Sequence, residues 1–324
     1  MRILVYIEKS AVRGGIEVFA ERHVDRLRAE GHEVEVCDDL SAQRCRGAER
    51  GGSRDAFGSF DEIVVHKCSD VATLEKFPPE KTVYYVHDHE PICPRGYAYT
   101  PLKRNCTRPG GIWPCIFCAP ACRNWKAALS RTFAQRRRIA TMARFKKIVV
   151  ISEFMKSRLV VNGLPPEKIA VEPPKISVEL KGAGESGIDL LFVGQLIRGK
   201  GVQLLLEAMA RMKTPRTLDV VGTGNMEGEL KEMAARLGLG ERVRFRGFQR
   251  NPQEWMRRAA CVVVPSFWQE PYGLVAAEAV ALGCKVVAFA IGGLPEACGG
   301  KATLVPPGDV AALANALESE MVKE

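Results

Sequence analysis

The chain has 324 residues, of which 46% are hydrophobic and 26% charged, and a formal net charge of +9. That balance excludes wholesale disorder and supplies enough apolar material for two domains. Its longest apolar runs are only strand-sized, so no transmembrane helix is supported.

Met1 to Ile7 reads as a first strand, and Glu8 and Lys9 interrupt it before a signal-peptide core can form. A cytoplasmic location is therefore expected, with peripheral attachment at the inner membrane face. Further along, apolar strands alternate with amphipathic helices, the pattern of doubly wound parallel sheets. In the first half the strands fall at Arg2 to Ile7, Glu33 to Cys37, Glu62 to His66, Thr82 to Val86, Lys147 to Ile151 and Ile169 to Val171. Helices fall at Ile16 to Ala29, Asn124 to Met142 and Glu153 to Val161, the last with Ser152 as N-cap. Pro173-Pro174 breaks the pattern, and Pro173 to Gly187 reads as a linker.

The second half resumes with strands at Asp189 to Val193, Thr217 to Val221, Val243 to Arg246, Cys261 to Val264 and Lys285 to Phe289. Its helices are expected at Val202 to Met212, Glu227 to Leu237, Pro252 to Arg258, Gly273 to Leu282 and Asp309 to Met321. The organisation expected is a Rossmann-like domain over 1–175, with a Cys-rich basic insert at 91–123, followed by a second Rossmann-like domain over 176–324. Ligands of such sheets bind outside the carboxyl ends of the strands.

The most informative stretch is Cys261 to Gly283. A β-branched run ends at Pro265, a loop carries Glu270-Pro271-Tyr272-Gly273, and a helix begins at Leu274. The free amides of Gly273, Leu274 and Val275 make an anion-attracting helix end. Glu270 and Glu278 bracket it; they would repel a phosphate, so they suit hydroxyls of a sugar and a ribose. Lys200 follows a glycine-containing turn and can neutralise a departing diphosphate, with Arg198 as a second cation.

Glu270 and Glu278, with seven residues between them that begin Pro271-Tyr272-Gly273-Leu274, resemble the E-x7-E signature of family 4 retaining glycosyltransferases. Arg13-Gly14-Gly15, Val86-His87-Asp88, Phe192-Val193-Gly194 with Lys200-Gly201, Val221-Gly222-Thr223-Gly224 and Gly292-Gly293-Leu294-Pro295-Glu296 resemble other segments of that family in the same order. The resemblance implies an α/β fold of the GT-B type, two Rossmann-like doubly wound domains facing a central cleft, the one over 1–175 on the acceptor side and the one over 176–324 binding the nucleotide sugar. It implies transfer of a hexose from a UDP- or GDP-sugar to an acceptor hydroxyl, with retention, in polysaccharide or glycolipid synthesis.

The same resemblance assigns roles. Catalysis falls to His87, Glu270 and Lys200. Donor binding falls to Gly14, Gly15, Gln195, Arg198, Gly222, Tyr272, Gly273, Leu274, Val275 and Glu278. Gln195 stands where the family commonly has arginine, and the chain ends at Glu324, before the further helices by which family members return to the first domain; both features favour an alternative, a catalytically weak binding or scaffold protein. A two-domain epimerase is a third reading. No cofactor is expected for catalysis.

Charge and cysteines single out one segment. Pro91 to Val150 holds 13 basic residues and no Asp or Glu, with Arg136-Arg137-Arg138 and Lys146-Lys147 among them. A phosphate-bearing acceptor, an anionic membrane surface or a solvated helix face all fit this charge; nucleic acid is not expected, for want of any accompanying motif. Cys93, Cys106, Cys115 and Cys118, the last two a CxxC, are candidate ligands of a structural zinc, with Cys122 as a competitor; free thiols or a disulfide are the alternatives. The loop Ser41 to Ser59, rich in Arg, Gly and Ser, is expected to be mobile and to line the acceptor side.

Overall fold

The computed structural model describes residues 1–8, 15–40, 57–100, 104–110, 115–118, 125–176, 178 and 187–322. Gly14, Cys122 and most of the Ser41 to Ser59 and Pro173 to Gly187 segments lie outside the described residues. The chain divides into two units, Met1–Pro174 and Lys175–Glu324.

The first unit is built from β1 (Arg2–Ile7), α1 (Gly15–Ala29), β2 (Glu33–Cys37), β3 (Glu62–Lys67), α2 (Val71–Leu74), β4 (Thr82–Val86), α3 (Trp125–Arg144), β5 (Lys147–Val150), α4 (Glu153–Val161) and β6 (Ile169–Val171). Its six strands are all parallel, in the order β2-β1-β3-β4-β5-β6. Successive residues of a strand face opposite sides, and here both sides are covered. Leu4 and Tyr6 enter one apolar cluster with Met142, Phe145 and Met155, while Ile3 and Val5 enter another with Val24 and Leu27 of α1. This double burial is why β1, β3, β4 and β5 read as apolar runs, whereas the edge strand β2 alternates. Ser152 caps α4 as expected, its Oγ accepting the Met155 amide at 3.0 Å.

The second unit comprises β7 (Ile188–Val193), α5 (Val202–Arg211), β8 (Leu218–Val221), α6 (Glu227–Arg236), β9 (Val243–Gly247), α7 (Pro252–Arg258), β10 (Ala259–Val264), α8 (Leu274–Ala281), β11 (Lys285–Phe289), α9 (Leu294–Cys298), β12 (Thr303–Val305) and α10 (Val310–Val322). Its parallel sheet has the order β12-β11-β10-β7-β8-β9. The chain winds outward from β7 through β8 and β9, then returns to place β10 on the other side of β7. The switch point of the sheet therefore lies between β7 and β10, and the loops leaving those two strands part there. In the first unit the equivalent point lies between β1 and β3.

Expected and observed elements differ at the short ones. α2, α9 and β12 span four, five and three residues, less than two full periods of their hydrophobic patterns, so no repeat announces them. Among the described residues no helix is long and apolar enough to cross a membrane.

Candidate functional site

At the switch point of the second unit, the loop after β7 carries Lys200 and the loop after β10 carries Glu270. Lys200 Nζ lies 2.6 Å from Glu270 Oε1. The same oxygen accepts hydrogen bonds from Ser266 Oγ at 2.7 Å and Trp268 Nε1 at 2.9 Å. Glu270 is only 7% exposed. Burial raises its pKa, but the Lys200 charge and hydrogen bond, helped by Trp268 and Ser266, outweigh it and hold the carboxyl below its usual range.

Close packing of the two loops positions this pair. Phe267 N donates to Gly199 O at 3.1 Å. Gly201 adopts φ +78°, and a Cβ there would lie on the carbonyl oxygen of Pro265, so the turn after β7 can approach the end of β10 only as glycine. Lys200 Nζ also sits 5.6 Å from the centre of the Trp268 ring. Behind Glu270, the Gly293 amide donates to its carbonyl at 2.7 Å, and a side chain at Gly292 would strike the same carbonyl. The Gly292-Gly293 turn thus fixes the Glu270 backbone.

The remaining candidates of this unit fall on the same edge of the sheet. Gly273, at φ +113°, is the residue before α8, and no side chain caps that helix end. Leu274 is exposed, Val275 and Glu278 half-buried, and Tyr272 buried. Gln195 and Arg198 are exposed after β7, and Gly222, after β8, packs on the Gly194 carbonyl. Ser266 and Trp268 were not among the candidates. Their signal is that the loop between strand end and glutamate, Ser266-Phe267-Trp268-Gln269, holds donors within four residues of a carboxylate.

In the first unit His87 follows β4 and is packed edge-on against Phe19, ring centres 4.8 Å apart, and stacked on His66 at 5.2 Å. Burial, then the neighbouring His23, lowers its pKa to about 3. Its Nε2 lies 3.0 Å from His66 Nδ1, and His66 Nε2 lies 2.9 Å from His23 Nδ1. Neither His66 nor His23 was among the candidates; the available signal was a polar residue inside a strand otherwise buried on both faces. Beside them Asp88 is pushed up to about 6 by burial, against the Glu90 amide it accepts at 2.8 Å. Gly15 opens α1 and is exposed.

Cys93, Cys106, Cys115 and Cys118 line one cavity of about 650 Å³, together with Arg95, Arg104 and Arg158. None of the four is in a disulfide. They share the cavity without closing on one point: among the described residues no three His, Cys, Asp or Glu side chains are grouped to hold a metal. Arg158 also anchors the segment. Its guanidinium, on α4, donates to the carbonyls of Thr107, Cys106 and Arg108 at 2.8, 3.1 and 3.2 Å. The basic run of α3 is likewise divided: Arg138 is buried and donates to the carbonyls of Cys68 and Ser69, Arg137 pairs with Glu75 at 2.6 Å, and Arg136 is exposed.

Residues 187–321 match the family described as group 1 glycosyl transferases. Over 165 residues the chain is 34% identical to D-inositol 3-phosphate glycosyltransferase 1 of Catenulispora acidiphila, an alignment covering 43% of this chain and 39% of that protein. The corresponding enzyme of Corynebacterium glutamicum is 38% identical over 159 residues, covering 41% of this chain and 38% of its own length. The matches thus span about two fifths of those relatives. Whole-chain likeness is structural. HepE of Anabaena, solved with UDP and glucose, superposes with a TM-score of 0.69 at 20% identity, covering 99% of this chain and 90% of that one. A glycosyltransferase of Rickettsia africae gives 0.72 at 16% identity, covering 98% and 87%. These likenesses show the fold, that of the GT-B glycosyltransferases.

Proposed function

We propose that this chain, whose second unit carries the group 1 glycosyl transferase signature, moves a hexose from a nucleotide diphosphate sugar to an acceptor hydroxyl with retention at the anomeric carbon. The observation that carries the reading is the Lys200–Glu270 pair at the β7/β10 switch point, beside the uncapped start of α8. A flexible ammonium held beside a carboxylate can swing to a diphosphate, whose charge grows as the glycosidic bond breaks. Glu270 then accepts sugar hydroxyls, the amides of Leu274 and Val275 take a phosphate oxygen, and Glu278 takes the ribose hydroxyls. The resemblance adds His87 as the group touching the transferred sugar. The departing phosphate oxygen receives the acceptor proton on the face of attack, and leaving-group stabilisation is assigned to Lys200 and the amides rather than to a metal ion.

That HepE is solved with UDP-glucose as well as with UDP supports a uridine nucleotide over a guanosine one. The exposed basic residues of α3 support an acceptor bearing phosphate, or an anionic membrane face, in polysaccharide or glycolipid assembly. No comparable observation favours the scaffold reading. The test is incubation with a panel of UDP- and GDP-sugars, following thermal stabilisation and nucleotide release together. A UDP-sugar should stabilise the protein and be consumed; stabilisation by none of the panel refutes the donor site.

A further inference from the structure

His23 on α1, His66 on β3 and His87 after β4 form a continuous line of ring nitrogens, with contacts of 2.9 Å and 3.0 Å, and the first two rings are only 5% and 2% exposed. A neutral imidazole has one N–H and one lone pair, so the middle ring, bonded through both nitrogens, must donate at one and accept at the other. The line therefore has a single direction. Either every proton points from His23 towards His87 or every proton points back. All three rings are held neutral: burial lowers His23 to about 4 and His66 well below its usual value, as it does His87.

The charged groups at the two ends choose between these directions. α1 carries Glu17 near its start and Arg26 three residues beyond His23. The negative charge of Glu17 acts on His87, and the positive charge of Arg26 acts on His23 and His66. Glu172, which lies 3.4 Å from the Tyr85 hydroxyl, acts on His23 more weakly than Arg26 does. α1 sets the same order in space: Phe19, two residues after Glu17, packs on the His87 ring at 4.8 Å, and Arg26 lies one turn beyond His23, so an N–H directed towards the Glu17 end and a lone pair towards the Arg26 end are favoured.

We propose that His23 and His66 are positioning residues that lock His87 as its Nδ1–H tautomer, so that His87 meets its ligand as a hydrogen-bond donor and not as a base. His23 Nδ1–H donates to His66 Nε2, and His66 Nδ1–H donates to His87 Nε2, leaving Nδ1–H as the other polar group of the His87 ring. All three rings then hold the tautomer that is the minority form of histidine in water. A donor at this point suits a sugar hydroxyl oxygen, and it fits a reaction in which a phosphate oxygen takes the acceptor proton; only that identification of the ligand rests on the proposed transfer reaction.

Long-range proton–nitrogen correlation on the ¹⁵N-labelled full chain reads the tautomers directly, without substrate. Near neutral pH, His23, His66 and His87 should each show the Nδ1–H pattern; Nε2–H at His87, or an averaged pattern there, overturns the proposal. In His66→Phe, His87 should revert towards Nε2–H, and turnover of the nucleotide sugar should fall about tenfold with KM for the donor unchanged, the loss of one oriented hydrogen bond. An unchanged His87 pattern in that variant counts against the relay. Should it not fold, His23→Phe removes the donor to His66 Nε2 and should leave His87 as a tautomer mixture; an unchanged His87 pattern there counts against the relay. The expected tautomers in a protein that consumes no nucleotide sugar would leave the relay standing and refute the transfer reaction; transfer with other tautomers would do the reverse.

Discussion

Lys200 Nζ and Glu270 Oε1 lie 2.6 Å apart, joining the loops of two strands that are neighbours in the sheet but 70 residues apart in the chain. Glu270 is the buried partner and Lys200 the more exposed one, with side chains 9% and 25% exposed. The pair is accordingly asymmetric. Lys200→Met should leave a buried carboxylate with only Ser266 and Trp268 and destabilise the protein by about 2 kcal/mol, less than a fully buried pair because Lys200 retains solvent contact. Adding Glu270→Gln to that variant should restore most of the loss. Urea unfolding of the two single variants and the double variant measures the coupling, and additive losses would sink this account of the site. Both single variants should lose about a hundredfold or more in transfer, since each removes a group placed for the departing diphosphate or the sugar.

Acid should act on the protein in two windows. The histidines of the first unit are held neutral, at about 4 for His23 and about 3 for His87, whereas unfolded histidine takes up its proton near 6.5. Between those values the unfolded chain binds more protons than the folded one, so stability is full above about 6.5 and declines as pH falls towards 4 and then 3. Glu270 is depressed below the ordinary carboxyl value of 4.5, so its contribution is present above that pH and is lost only as pH falls further, through its folded value. Since the two windows reside in different units, denaturant melts from neutral to pH about 5 should show the first unit weakening before the second. Equal losses in both units over that range would contradict the histidine assignment.

Much of the fold was legible because both sheets are covered on both faces: a strand such as β10, Ala259–Val264, must be apolar throughout, and the turn residues that follow it stand out against it. The Glu270 segment was legible for the same reason. What could not be read was which polar groups would meet. Nothing local in the chain tells that Lys200 would spend its charge on Glu270, that Arg158 would take the carbonyls of 106–108, or that histidines 23, 66 and 87 would align, because each contact joins elements brought together only by sheet order. The arginine run at 136–138 shows the converse error: a uniform charge pattern in the sequence becomes one buried, one paired and one exposed side chain once the helix packs.

Gly201→Ala should be costly out of proportion to one methyl group. Its backbone lies at φ +78°, and the added Cβ would overlap the Pro265 carbonyl, so either the turn after β7 or the end of β10 must move. Lys200 adjoins that turn, so the expected result is a stability loss of about 1–3 kcal/mol with a disproportionate loss of transfer. Gly240→Ala is the control, because a Cβ there meets nothing within 4 Å. Similar behaviour of the two variants would argue against a role for the turn.

Asp219 on β8 is fully buried, with 0% exposure, and lies beside Arg244 at 3.0 Å and Arg246, both on β9. Removing its charge leaves two guanidinium groups facing a neutral amide across a parallel pair of strands. Asp219→Asn should destabilise the second unit by about 3 kcal/mol. The first unit should be unaffected, which amide hydrogen exchange resolved by unit can check. Protection lost equally throughout the chain would mean that the two units do not unfold separately.

The cysteine segment offers a choice between a metal and a guanidinium as its organiser. Among the described residues four cysteines line the cavity without gathering into a ligand set, whereas Arg158 already satisfies three carbonyls at 106–108. A buried guanidinium with several acceptors is worth more than a neutral hydrogen bond, by roughly a factor of two for each contact. Arg158→Met keeps the side-chain bulk but releases those carbonyls, so proteolysis within 104–110 should accelerate about tenfold, as expected for a local opening cheaper by about 1.4 kcal/mol. Chelation of the wild-type protein should leave the same cleavage rate unchanged. Stoichiometric zinc in the purified protein, together with faster cleavage after chelation, would return the segment to the metal and reduce Arg158 to a supporting contact.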